Sequence, residues 1–276
     1  MTDSSLRHFL RTPKGLTIAV LVPLSIVAAV PQGWRFVLPE TVAAMAAAMA
    51  VDLFVLRARK GRWEFPDGAL ITGLLVGMVL SAHERWWVAA VTAAVAVGSK
   101  YLVRVRKANV FNPAALGLVA TFYLFNTGQS WWGALTDLPT IALVLLIGSG
   151  IFVAERLKKM PCVVAFLGVY YVLVTIAAFV GEPRHVAELY RTPDLHAALL
   201  FAFYMVSDPP TSPGRAGDQV WYGAIVAFVA FGAFEIIGAA YWLLAGVLVG
   251  NVWDAWHRHR DSIRRKHLYA MPQGSA

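Results

Sequence analysis

The chain has 276 residues, 58% hydrophobic and only 14% charged, with a mean hydropathy of +0.61. Soluble domains carry about 25% charged residues, so that class is excluded. The net charge of +8 and isoelectric point near 9.8 would point to nucleic acid in a soluble protein, but here topology and anionic lipid account for them, and no nucleic-acid partner is expected.

Apolar runs predict helices over about 16–31, 39–56, 68–82, 86–103, 112–126, 138–154, 161–180, 194–206, 219–236 and 239–253. A bilayer crossing takes roughly 20 apolar residues, so the shorter runs predict tilted or broken helices. The first run has no small-residue cleavage site ahead of a soluble body, and it reads as a retained helix rather than a signal. Threading the chain as ten helices puts 20 of its 24 Lys and Arg residues on one side. They are Arg7, Arg11, Lys14, Arg57, Arg59, Lys60, Arg62, Lys100, Arg104, Arg106 and Lys107, then Arg156, Lys158, Lys159, Arg215, Arg258, Arg260, Arg264, Arg265 and Lys266. Only Arg35, Arg85, Arg184 and Arg191 fall opposite. The positive-inside rule then sets both termini in the cytoplasm.

The expected fold is an all-α integral membrane protein of about ten transmembrane helices, in one membrane domain. Its third and eighth helices echo each other (Leu74–Val79 and Phe201–Val206), and each is followed by a polar break, a tryptophan (Trp87 or Trp221) and a further apolar helix. The echo predicts two five-helix repeats, about 16–127 and 138–254, followed by a basic cytoplasmic tail over 255–276. Because five is odd, the repeats must be inverted, an arrangement that places binding sites where the halves meet.

Polar residues near or within the apolar runs are the candidates for chemistry. Asn112 and Pro113 open the fifth helix, where they serve either as a helix start alone or as a place where free N–H groups receive a ligand. The segment from Ser207 through Asp208 and Thr211 to Pro213 ends the eighth helix on the same side. It reads either as a plain proline-rich loop or as a site in which Asp208 has a partner or a task. Asp52 lies inside the second helix and must face protein rather than lipid, pairing with a polar neighbour or taking part in cation transfer. Glu235 marks a tight external turn. Gly68, Gly73, Gly77, Gly232, Gly238, Gly246 and Gly250 predict close helix contacts. Trp86, Trp87, Trp131 and Trp132 outside, with Trp63 and Trp256 inside, fit interfacial belts.

Absences narrow the chemistry. Among seven histidines only His196 falls within a span, so this chain supplies no facing pair for a b-type haem. Cys162, the lone cysteine, excludes an internal disulfide, a Cys-ligated cluster or a structural zinc site made by this chain alone. No P-loop, zinc signature or intramembrane Ser-His-Asp order is present.

Four runs carry a resemblance: Gly68–Leu75, Lys100 with Asn109–Gly117, Met205–Pro213 and Gly246–Asp254. Through them, residues 40–255 resemble the D subunit of the Rnf electron-transport complex and the B subunit of the sodium-pumping NADH:quinone reductase. The resemblance implies ten helices in two inverted halves, in a flavin-bearing subunit that passes electrons coupled to sodium or proton movement. It implies Asn112 and Asp208 as flavin contacts, with Thr72, Pro113, Ser207 and Thr211 beside them; Asp52 stands as the ion-transfer candidate on its intramembrane position alone. Members commonly attach FMN to the threonine of a Ser-Gly-Ala-Thr motif between helices five and six. That loop here reads Asn126 to Asp137 and lacks the motif, so the expected cofactor is a non-covalent flavin, FMN or riboflavin. The expected partners are the other membrane and cytoplasmic subunits of a redox complex and the bilayer of the plasma membrane. Two further readings share the same features: a channel or carrier for a small solute, and a membrane anchor for a soluble redox protein.

Overall fold

The computed structural model describes residues 8–105, 108–139, 141–180, 187 and 189–270, with side chains through 263. Among the basic residues counted above, Arg7, Arg106, Lys107 and Arg184 lie outside the described residues, as do the side chains of Arg264, Arg265 and Lys266.

Helix α1 runs Pro13–Gln32 because Thr12 caps it: its hydroxyl accepts the Gly15 N–H at 3.1 Å, and Pro13 needs no donor at the first position. Gly33, with φ +84°, takes the turn that starts α2, Trp34–Lys60. Then come α3 (Asp67–Val79), α4 (Trp86–Leu102), a two-residue antiparallel pair (β1, Arg104–Val105; β2, Ala108–Asn109) and α5 (Pro113–Phe125). The remaining helices are α6 (Ile141–Arg156), α7 (Met160–Val180), α8 (Asp194–Phe201), α9 (Ala216–Glu235) and α10 (Trp242–Ala270). The last turn of α8 widens into a π-helix over Ala202–Val206.

Helices α1, α2, α7 and α9 are long and apolar enough to cross a bilayer. By contrast α3 and α5 have 13 residues each. At 1.5 Å per residue they span about 20 Å, less than the roughly 30 Å of hydrocarbon. Backbone that is not helical at such depth must be covered by protein. Residues 126–135 supply that cover for α3, folding back against its C-terminal end. Ser130 and Trp131 donate their N–H groups to Val79 O, at 3.1 and 3.2 Å, and the Trp132 indole donates to Gly77 O at 2.7 Å. Residues 131–135 are buried, Trp132 at 2% exposure, while Asn126, Gly128 and Ser130 stay exposed, so the tryptophan end of this segment is interior rather than part of an interfacial belt.

The first part of the basic tail is helical. Helix α10 continues to Ala270 because nothing after Asp254 breaks it, and charged pairs one turn apart support the polar part, among them Arg258 Nε and Asp254 Oδ2 at 3.0 Å.

Packing follows one scheme in α1–α5 and α6–α10. The second helix of each set lies on the fourth (α2 on α4, α7 on α9), the fourth lies on the fifth, and α5 meets α10. Contacts between helix ends fall into two groups. At one end Lys14 meets Asp67 (2.6 Å), Tyr101 donates to Asp52 (2.6 Å) and Arg258 donates to Asn109 O (3.2 Å). At the other, Gln32 meets Asp137, the Gly128 N–H donates to Glu84 (2.8 Å) and Tyr123 meets Tyr241.

Candidate functional site

A cavity of about 980 Å³ opens at the first of these ends, walled by α1–α5 on one side and by α6, the π-turn of α8 and residues 207–210 on the other. Of the residues singled out in the sequence, Asp52, Thr72, Asn112, Pro113, Ser207 and Asp208 all line it. Thr211 does not; it is fully buried behind the loop, where its hydroxyl donates to Asp208 Oδ2 at 2.7 Å.

Asn112 is committed to structure. Its side-chain oxygen accepts the Ala115 N–H at 3.1 Å, capping α5, and its amide reaches Met205 O at 3.4 Å. The same residue therefore starts one short helix and holds the end of another. That carbonyl lacks an α-helical donor because residue 209 is a proline, and along the backbone it accepts a long 3.4 Å bond from the Asp208 N–H. The π-turn, a distortion common at functional sites, brings Phe203 and Tyr204 to the cavity wall. The Phe203 ring rests on Gly150, where a Cβ would approach it to 2.3 Å. Asp52 pairs with the Tyr101 hydroxyl, and Arg59 lies over the Tyr101 ring at 4.9 Å.

Five basic and four acidic side chains line the cavity, so it is mixed in charge rather than a simple anion funnel. Lys14 holds Asp67, and Lys60 holds Glu64 at 2.5 Å. Lys100 donates to Gly68 O at 3.0 Å, within electrostatic reach of Asp52 and Asp208. Burial pushes the Asp208 carboxyl above the usual carboxylate range, while the Thr211 hydroxyl and the Lys100 and Lys159 ammonium groups pull it back. The other walls, Ile71, Leu75, Val153, Leu157 and Phe203, are apolar.

Two residues that hold this arrangement carried no role in the sequence reading. Asn251 on α10 accepts the Asn112 N–H at 2.7 Å and donates to Thr211 O (2.9 Å) and to the Tyr222 hydroxyl (2.8 Å). Its signal was a carboxamide inside an otherwise apolar run. Lys159, only 5% exposed, donates to Ser212 O (3.1 Å) and Pro213 O (2.7 Å), and burial pulls its ammonium below the ordinary lysine range. Nothing distinguished it in sequence from its basic neighbours. Lys159→Met leaves both carbonyls unpaired and is expected to cost about 1–3 kcal/mol. Faster amide exchange over residues 207–214 is the measurement, and protection equal to wild type would show that the loop is held otherwise.

An apolar helical body with half-length helices and a charged cavity among their ends defines an integral membrane protein built around a polar site. Residues 11–140 and 138–254 match the NQR2, RnfD, RnfE family, and the chain belongs to that family. It is similar to the D subunit of the ion-translocating oxidoreductase complex of Cronobacter sakazakii (strain ATCC BAA-894), with 31% identity over 123 residues. That stretch is 42% of this chain and 35% of the relative, about a third of the relative's length.

Proposed function

We propose that this chain is the flavin-carrying membrane subunit of an ion-translocating electron-transport complex, with FMN or riboflavin held non-covalently in the 980 Å³ cavity. The strongest support is that six residues from four separate stretches of sequence line that one space. Its volume suits a flavin, since sites for molecules of that size occupy roughly 300–1,000 Å³. The donor set suits one as well: apolar walls for a planar ring, and Lys14, Arg59 and Lys100 for a phosphate or carbonyl edge. Gly68 keeps the floor open, because a Cβ there would sit 3.6 Å from Lys14 Nζ and 3.8 Å from Lys100 Nζ.

A bound flavin supplies one- and two-electron redox chemistry. The chain's residues do the rest. Asp208, held by Thr211, presents a carboxyl whose charge biases the protonation of whatever lies beside it. Lys100 opposes that charge, and Ile71, Leu75 and Phe203 exclude water. Asp52, tied to Tyr101, sits on the same wall as a cation-transfer candidate. The loop over 126–137 is packed against α3 and lacks the attachment motif, which favours a non-covalent cofactor.

The same reading gives ten crossings of the plasma membrane in two inverted five-helix halves, with both termini cytoplasmic and other membrane and cytoplasmic subunits as partners. Its supports are the repeated packing scheme, the two sets of helix-end contacts, and the meeting of the matched stretches at residues 138–140, in the connection before α6.

Protein purified with its native partners is expected to be yellow and to release flavin on denaturation. Gly68→Leu, which projects a side chain at the Lys14 and Lys100 ammonium groups, is expected to lower flavin retention at least severalfold, with Gly98→Ala as the control. A colourless preparation that releases no flavin would end the cofactor assignment.

A further inference from the structure

At the opposite end of the molecule a second, smaller cavity of about 360 Å³ lies between the start of α2 and the turn before α4. Its rim is exposed Arg35, His83, Arg85 and Trp86, and its inner wall is Glu40. Glu40 is 1% exposed, and neither carboxyl oxygen has a hydrogen-bond partner among the described residues. Its neighbours do not meet the need. The Trp132 indole N–H is used by Gly77 O, and Glu84 is itself a carboxylate, accepting the Gly128 N–H.

Glu40 is not alone in this. The Thr41 and Thr127 hydroxyls and both ends of the Gln129 amide, all at the same end of the molecule, are also buried without partners. Together with Glu40 they make up six of the ten such atoms among the described residues. Polar atoms gathered in this way are normally served by internal water. Toward the large cavity the helices are tightly packed: a Cβ on Gly73 of α3 would lie 2.8 Å from Ala44 O of α2, and the Trp132 indole is bonded to Gly77 O.

We propose that Glu40 is an exchangeable proton site, reached through this cavity from the side of the membrane opposite the proposed flavin site. A bare, unpaired carboxylate is strongly disfavoured at such a place, and a proton removes the charge without needing further ligands. A polyvalent cation does not fit, since no group of three His, Cys, Asp or Glu side chains gathers there among the described residues. The charged groups facing Glu40 are Arg35 on its own helix and His83, Glu84 and Arg85 from the turn before α4. From the 132–134 turn the Trp132 indole also approaches Glu40. The surface arginines and Glu84 bear opposite charges, so protonation of Glu40 follows outside pH rather than a fixed ion pair. The inference goes beyond the flavin reading and needs no flavin, but it rests on the topology proposed with it, which sets this end of the molecule outside.

A hydrophobic carbodiimide tests it. The reagent takes the proton of a neutral carboxyl as the acid oxygen adds to its central carbon, and the adduct rearranges to a stable N-acylurea; an ionised carboxylate does not react. Whole protein in sealed right-side-out vesicles is labelled at fixed interior pH while the outside pH is varied, and the modified peptides are mapped by mass spectrometry. Glu40 is expected to carry the adduct in mildly acidic medium and to lose it severalfold as the outside becomes alkaline, and Glu40→Gln removes it. An adduct that follows interior pH, that ignores pH, or that never forms on Glu40 would each overturn the proposal. The wild-type titration decides the matter even where the variant is poorly expressed.

Discussion

Replacing Asn251 by leucine is expected to cost about 2–4 kcal/mol and, on the proposed function, to lower flavin retention severalfold. The side chain is fully buried, and its three hydrogen bonds end on groups equally hidden: the Asn112 N–H, the Thr211 carbonyl and the Tyr222 hydroxyl. Removing one partner leaves the other to bear its own desolvation, about 1–3 kcal/mol for each buried group. Hydrogen bonds between membrane helices measure less, about 0.6 kcal/mol on average, because unfolded helices in lipid find other partners. The sum lies between those bounds. Position matters more than the sum, because Asn251 joins the start of α5 to the loop after α8, which face each other across the cavity. Asn251→Asp keeps the acceptor for Asn112 and loses both donors, so its effect should be intermediate. Thermal unfolding in detergent, with bound flavin measured on the same samples, reads both consequences. A leucine variant that keeps wild-type stability and colour would remove Asn251 from the architecture of the site.

The helices were legible because lipid imposes one rule on every crossing: a run of apolar residues, bounded by charge or by a cap such as Asn112-Pro113. The predicted span 194–206 coincides with α8 and its π-turn together, and the others differ from the helices by a few residues at most ends. The exceptions have physical causes. Helix α10 outruns its span because a helix in water needs no apolar face once ion pairs support it. The interior placement of residues 131–135 was hidden because their tryptophans read as an interfacial belt, and only the shortness of α3 creates the gap they fill. Asp52, Asn112 and Asp208 stood out as polar residues in apolar company. That Asn112 spends its side chain on the backbone could not be read, since capping and ligand binding call for the same residue. Glu40 escaped notice for a related reason: it stands at the edge of the span predicted over 39–56, where a charge reads as a boundary.

The duplicated packing makes a prediction in which equivalent substitutions share a sign and nearby controls take the opposite one. Gly117 on α5 sits against α4, where an added Cβ would fall 2.6 Å from Ala96 Cβ and 2.7 Å from Thr92 O. Gly246 on α10 sits against α9, with the corresponding distances 2.6 Å to Val226 O and 3.0 Å to Ala230 Cβ. The register is the same in both. Thr92 and Ala96 follow Trp87 at the spacing with which Val226 and Ala230 follow Trp221, so the glycine contacts fall in the same register as the tryptophan echo. Backbone blocks each approach, and no side chain can rotate away to make room. Gly117→Ala and Gly246→Ala are each expected to lose about 1–3 kcal/mol through forced separation of a helix pair. Gly98 and Gly168 meet nothing within 4 Å, so alanine there should stabilise by up to about 1 kcal/mol through reduced backbone freedom. Measured side by side by thermal unfolding, the four variants separate packing from propensity. Loss at Gly117 without loss at Gly246 would mean that only one half depends on this contact, and the structural equivalence of α4–α5 with α9–α10 would then have no energetic counterpart.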